Sequence, residues 1–185
     1  MTGEKLRASL AEAPVVRFGD YPYFIHPLTD GIPALDPAVL AEVVAEIVAI
    51  ADLDVDKIVT VEAMGIPLGT ALSLATGIPM TVIRKRRYGL PGEMTLDQTT
   101  GYGKGALHIN GLARGDRVLF VDDVISTGGT LAPVLAALSA HGVMVKDVVI
   151  VFEKGEGRAL VEKATGRPIK SLQRIAVAGD RVVPL

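Results

Sequence analysis

Val118-Leu-Phe-Val-Asp-Asp-Val-Ile-Ser-Thr-Gly-Gly-Thr-Leu131 decides the fold class of this chain. Its first half is an apolar run of the kind that forms a strand buried on both faces. Two acids, Asp122 and Asp123, end that run, and a turn of small residues leads into a helix. The carboxyl ends of parallel strands are where α/β proteins bind ligands. Backbone N–H groups from Ser126 to Thr130 can converge on an anion at the helix N-terminus. Gly128 and Gly129 permit close approach of the backbone, and Thr127 and Thr130 add hydroxyl donors. The paired carboxylates repel phosphate but accept hydrogen bonds from vicinal hydroxyls. An anion cradle beside paired acids therefore suggests a ribose 5-phosphate. A lone TGGT would read as an ordinary strand–turn–helix junction; the buried strand and two acids before it reverse that preference. No GK[ST] follows at the spacing of a nucleotide-binding P-loop.

Working outward, strands and helices alternate. Asp36 and Pro37 read as an N-cap and first helical residue. Val39, Leu40, Val43, Val44, Ile47 and Ile50 then recur at helical spacing, with Glu42 and Glu46 opposite. Strands are expected at Lys57–Glu62, Pro79–Arg84, Arg117–Val121, Val145–Phe152 and Leu172–Val177. Helices are expected at Gly65–Ala75, Thr130–Ala140 and Arg158–Ala164. The alternation indicates an α/β fold with a mainly parallel sheet flanked by helices. Two segments break the rhythm: Arg17–Pro37, with four Pro and no clear period, and Lys85–Lys104, rich in Gly, Thr and charge. A loop that long inside a compact domain is functional or mobile.

Composition narrows the function. The 185 residues fit one domain, residues 1–185. Nineteen Lys and Arg against 21 Asp and Glu leave a net charge of −2, which argues against a nucleic-acid backbone binder. Four Tyr and four Phe are few for stacking on a single strand. With no Cys, disulfides, thiolate metal sites and thiol nucleophiles are excluded. His26, His108 and His141 are too scattered for a protein-only zinc site. Met1–Leu10 has no apolar core of a secretory signal. Val39–Leu53 is interrupted by Glu42, Glu46 and Asp52, so it does not make the roughly 20 apolar residues of a membrane span. A cytoplasmic protein with no membrane partner is expected.

VLFVDDVISTGGT resembles the phosphoribosyl-pyrophosphate (PRPP) motif of the type I phosphoribosyltransferases, in which apolar residues precede two acids, a spacer and TGG[TS]. Ile83–Glu93 (IRKRRYGLPGE) and Gly101–Leu107 (GYGKGAL) resemble the mobile catalytic loop of adenine phosphoribosyltransferases. Val151–Arg158 (VFEKGEGR) resembles the segment that closes over the base in xanthine phosphoribosyltransferases. The whole pattern, with FIHPLTDGIP, VEAMGIPLGTALSLATGIP and QTTGYGKG, is most similar to the archaeal hypoxanthine/guanine phosphoribosyltransferase group.

The resemblance implies a purine salvage enzyme of the type I fold. Residues 1–36 would contribute a small N-terminal hood over the purine and residues 85–104 the mobile loop. Asp122 and Asp123 would be the catalytic acids, holding the ribose 2′ and 3′ hydroxyls and touching Mg²⁺ indirectly. Ser126, Thr127, Gly128, Gly129 and Thr130 would bind the 5-phosphate. Glu62, Ala63, Met64 and Gly65 would bind pyrophosphate, with Arg84 and Lys85 from the basic run Arg84–Arg87. Relatives often carry Arg where Met64 stands. Basic residues of that run reaching a neighbouring subunit would imply a homodimer. Magnesium is the cofactor expected for a diphosphate substrate.

Purine choice rests on Lys154, a donor at the carboxyl end of a strand that suits a 6-oxo group and meets a 6-amino group badly. The competing reading is a solvated Lys beside Glu153 and Glu156. Phe152 either stacks on the base or fills the core, and Ile25 in the Tyr23–Ile25 hood offers backbone hydrogen bonds. The general base is open. Human-type relatives place an Asp where Ser126 stands, and adenine enzymes a Glu where Gly101 stands. Asp123, Glu93, Asp97 or no base at all remain. Hypoxanthine or guanine is the expected acceptor, giving IMP or GMP. The alternatives are an adenine or xanthine phosphoribosyltransferase, or a non-catalytic PRPP-binding regulator.

Overall fold

The computed structural model describes residues 3–19, 21–100 and 103–185. Its centre is a six-stranded sheet. In chain order the strands are β3 (Lys57–Val61), β4 (Met80–Ile83), β7 (Arg117–Ile125), β8 (Met144–Lys154), β9 (Lys170–Ala178) and β10 (Arg181–Pro184). In space they run β10-β9-β8-β7-β3-β4. All neighbours are parallel except β9 and β10. The chain leaves β3 toward β4 and returns to β7 before moving the other way. The switch point thus lies between β3 and β7, where open α/β sheets leave a crevice at the strands' carboxyl ends.

Helices cover both faces. α3 (Pro37–Ile50) starts where Pro37 follows Asp36, whose carboxylate accepts from Ala38 N at 2.7 Å. Its Val43 and Ile47 join Leu68 and Leu72 of α4 (Gly65–Thr76) against Leu119, Val121, Val149 and Val151. α1 (Glu4–Leu10) adds Leu6 and Leu10 to the same layer. On the other face Val134, Leu135 and Leu138 of α5 (Leu131–Ala140) and Val161 of α6 (Gly157–Thr165) pack on Val118, Phe120, Val148 and Ile150. Because β7 and β8 are covered twice, Val118–Val121 and Val148–Phe152 are almost without exposure.

Several stretches differ from the sequence reading, which expected neither α1 nor β10 (Arg181–Pro184). The irregular N-terminal segment contains an antiparallel hairpin, β1 (Val15–Phe18) with β2 (Tyr21–Phe24), and a single helical turn, α2 (Pro27–Asp30). Strands of four residues are too short to show a period. Most of the long loop is a second hairpin, β5 (Met94–Thr100) with β6 (Gly103–Ile109). Met94, Leu107 and Ile109 bury themselves against the α5 face, which fixes its register. β7 also runs past Val121 to Ile125, because Asp122, Val124 and Ile125 pair with Ile150, Phe152 and Glu153.

Candidate active site

A cleft of about 230 Å³ opens at the switch point. Asp122 and Asp123 lie at its floor, half-buried. Burial pushes the Asp122 carboxyl up to about 6. Asp123 goes well above the usual carboxylate range, through burial first and then through repulsion from Asp122 and Asp30. Asp123 N donates to Asp122 Oδ1 at 3.1 Å.

Ser126, Thr127, Gly128, Gly129 and Thr130 form the adjoining wall. Gly128 has φ +78°, and a Cβ there would lie 2.5 Å from Val161 Cγ2. Across the contact, a Cβ on Gly157 would lie 2.3 Å from the Ser126 carbonyl oxygen and 2.8 Å from Gly128 N. Two glycines let the loop and the start of α6 meet backbone to backbone. Gln98 of β5 donates to Thr130 Oγ1 at 2.6 Å, so the second hairpin lies over the loop.

Opposite stand Glu62, Ala63, Met64 and Lys85. The Glu62–Ala63 peptide is cis. The Glu62 carboxylate accepts from Lys85 N and pairs with Arg84 Nε at 2.9 Å. Gly65, expected here, begins α4 and does not line the cleft. Thr60 Oγ1 and Asp122 Oδ1 fill the place of a Cβ, at 1.9 and 2.8 Å. Arg84 also stays outside the lining, its guanidinium turned to Glu62. Lys85 alone of the basic run lines the cleft. Arg87 pairs with Glu93 at 3.6 Å and Arg86 lies over the Tyr88 ring.

At the hood, Tyr21, Tyr23, Phe24 and Lys154 line the cleft. Lys154 is buried, donates to the Pro22 carbonyl and sits 4.1 Å from the Tyr21 ring centroid. It is therefore not a solvated lysine. Two expected purine contacts are absent from the lining. Phe152 is fully buried, its ring edge-on to Phe24 and His26, so it fills the core. Ile25 spends its N–H on the Pro14 carbonyl at 2.9 Å. Asp30 braces the hood by accepting from Tyr23 Oη at 2.7 Å, Thr29 Oγ1 at 2.6 Å and His26 N at 3.0 Å.

The candidate bases separate cleanly. Glu93 is held low by hydrogen bonds from Asn110 and from Tyr88 N and Gly89 N, and it lies outside the cleft. It is an anchor for the Tyr88–Glu93 turn rather than a base. Asp97 is exposed and does not reach the cleft. Asp123 lines it. Gly101 lies outside the described residues. Sequence reasoning missed Tyr21, Thr29 and Gln98 as cleft residues. Gln98 opens the QTTGYGKG stretch, but its place against Thr130 depends on where the β5–β6 hairpin folds.

Residues 36–175 match the family described as the phosphoribosyl transferase domain. The chain belongs to the phosphoribosyltransferase family. Similar relatives include the hypoxanthine/guanine phosphoribosyltransferase of Ferroglobus placidus, 60% identical over 178 residues, spanning 96% of this chain and 95% of the relative. The protein of the same name from Methanothrix thermoacetophila is 55% identical over 97% of this chain and 94% of its own. Among solved structures, the adenine phosphoribosyltransferase of Giardia lamblia bound to 9-deazaadenine superposes with a TM-score of 0.76. It is 24% identical, over 94% of this chain and 98% of its own. That of Thermoanaerobacter pseudethanolicus gives 0.74 at 22% identity, over 92% and 98%. These two show the phosphoribosyltransferase fold alone.

The phosphoribosyltransferase cleft also suits a magnesium ion. The charged groups acting on Asp122 and Asp123 are each other and Asp30, all acidic. Crowded, desolvated carboxylates of this kind call for a cation or for hydroxyl donors. Among the described residues no three His, Cys, Asp or Glu side chains form a cation cage. The donor set therefore fits magnesium, which keeps most of its ligands as water and phosphate oxygens.

Proposed function

We propose that this protein transfers the 5-phosphoribosyl group of PRPP to hypoxanthine or guanine, giving IMP or GMP and pyrophosphate. A bond forms between purine N9 and C1′ while the bond from C1′ to the pyrophosphate oxygen breaks. The purine N–H proton leaves to a base or to solvent. The observation that carries the choice of acceptor is the buried Lys154 ammonium at the base end of the cleft. It is a donor without acceptor capacity, so it suits O6 of an oxopurine and opposes the 6-amino group of adenine. The high identity to relatives named for hypoxanthine and guanine supports the same reading.

The residues divide the work. Ser126 to Thr130 bind the 5-phosphate with backbone and hydroxyl donors. Asp122 and Asp123 accept from the ribose hydroxyls and hold Mg²⁺ through water or substrate. When bound, that ion neutralises the diphosphate and makes it a better leaving group. Lys85 faces the leaving group, and Glu62 positions it through the Lys85 backbone N–H. The same carboxylates stabilise positive charge on the ribose ring. Tyr21, Tyr23 and Phe24 close over the base, and the β5–β6 hairpin excludes water from the cation-like centre. The setting is the cytoplasm and the assembly a homodimer, with the exposed Arg86 and Arg87 at the contact between chains.

The test is pyrophosphate release from PRPP and Mg²⁺ with hypoxanthine, guanine, xanthine or adenine. Hypoxanthine and guanine should be the good acceptors. Lys154→Ala should raise KM for both by about tenfold or more, the loss of one charged hydrogen bond. Adenine as the far better substrate of the parent overturns the acceptor assignment. PRPP binding with no release for any base identifies a sensor instead of an enzyme.

A further inference from the structure

The hood strand carries one side chain that touches both ends of the cleft through different atoms. The Tyr21 hydroxyl donates to Ser126 Oγ, the first residue of the anion loop, at 2.9 Å. Its ring lies under the Lys154 ammonium at 4.1 Å, and the next residue, Pro22, gives that ammonium its carbonyl. We propose that Tyr21 is a positioning residue that couples occupancy of the phosphate loop to the seating of Lys154, so that the phosphorylated sugar tightens the purine subsite. This rests on reading the cleft as a PRPP and oxopurine site.

The coupling follows from how the hydroxyls share protons. Ser126 accepts from Tyr21, which leaves its own proton to donate. A phosphate oxygen in the loop is a far stronger acceptor than water. Donation to an anion polarises the Ser126 oxygen and strengthens the bond it accepts. The Tyr21–Ser126 bond is therefore stronger with the loop occupied. That holds β2 against the loop, and β2 carries both groups that fix Lys154, the Tyr21 ring and the Pro22 carbonyl. An ammonium over an aromatic face is oriented by the ring quadrupole. Coupling of this kind is reciprocal, so the purine must tighten the sugar phosphate by the same factor.

Ribose 5-phosphate with Mg²⁺ is the probe, since it fills the loop and offers both hydroxyls but has no leaving group. Calorimetry compares hypoxanthine affinity with and without it. The parent should bind hypoxanthine about fivefold more tightly when the sugar phosphate is present. Tyr21→Phe keeps the ring and loses the hydroxyl. It should bring that ratio close to one while retaining the preference for hypoxanthine over adenine. Tyr21→Leu should lose the ratio and the preference together. A merely structural tyrosine would lower the melting temperature and leave the ratio intact. A ratio of one in the parent, or a parental ratio in Tyr21→Phe, overturns the coupling. If Tyr21→Phe does not fold, Ser126→Ala decides: a parental ratio there overturns it, a ratio near one supports it. A parent that binds neither ligand overturns the reading of the cleft itself, a result distinct from the loss of coupling alone.

Discussion

Asp123 is the residue on which the proposed chemistry turns, and its proton is measurable. Burial raises its carboxyl, and that of Asp122, above the 3.8 of a free aspartate. The folded, empty protein therefore holds more protons than the unfolded chain above that value. By linkage the contribution of these two acids to stability is full below pH 3.8 and falls as pH rises through the raised values, about 6 for Asp122. Asp123→Asn removes part of that cost. Thermal melts should show the ligand-free variant gaining more over the parent at pH 8 than at pH 5. The same substitution should lower kcat/KM by a factor of about 100 or more, since a charge-stabilising group is lost. Ribose hydroxyls and Mg²⁺ favour the ionised acids, so PRPP binding should expel protons. Titrations in two buffers of different ionisation enthalpy would show a proton release that weakens in Asp123→Asn. The acid pair was legible in sequence because it ends an apolar run. Nothing in the sequence said that Phe152 would turn inward, because Phe24 and His26 reach it from the hood, more than 100 residues earlier.

At the scale of elements, the long helices and buried strands were readable, and the hairpins were not. α3 announced itself through its cap and its period. β5 and β6 did show apolar alternation at Met94 and Leu96 and at Leu107 and Ile109. The Gly, Thr and charged residues between them obscured it, and their pairing with each other decided the outcome. The Ser126–Thr130 loop leans on the start of α6, a helix expected in sequence whose contact with the loop was not. Gly157→Ala would press a methyl group onto the Ser126 carbonyl 2.3 Å away. The expected cost is about 1–3 kcal/mol, as for overpacking elsewhere, with a raised KM for PRPP. Gly166→Ala is the control. It has φ +66° but open space around it, so it should cost about 1–2 kcal/mol of backbone strain and leave KM alone. Urea melts and PRPP saturation curves on the two variants separate these outcomes.

The molecule as a whole is tied together by His26, a member of the FIHPLTDGIP stretch to which sequence reasoning gave no structural role. Its Nδ1 accepts from Leu28 N at 3.1 Å, so Nε2 carries the proton and donates to Ser9 Oγ at 2.8 Å. Ser9 Oγ in turn donates to the Leu6 carbonyl at 2.8 Å, joining α1 to the hood. Burial lowers this histidine from 6.5 to about 4, against an opposing pull from Asp30. Neutral His26 thus supports the fold above pH 6.5, and that support is lost as pH falls through about 4. Between those limits the parent should lose about 3 kcal/mol more than His26→Asn, which keeps an acceptor for Leu28 N. Denaturation series at pH 4 to 8 would measure it. Sheet order belongs to the same scale. The alternation of strands and helices named the layers, whereas the return from β4 to β7 that creates the crevice is a property of the folded chain.

That return has a consequence for how the protein is made. Tyr21 meets Ser126 from 105 residues away, and Lys154 meets Pro22 from 132. Contacts this distant are made late, because closing long loops is slow. During synthesis the hood is finished first and has nothing to cover. The Ser126–Thr130 loop follows but lacks Gly157 to lean on. A ribosome-bound chain that has not yet emerged through α6 should therefore be blind to nucleotide, and substrate in the cell should rescue only chains whose translation is nearly complete.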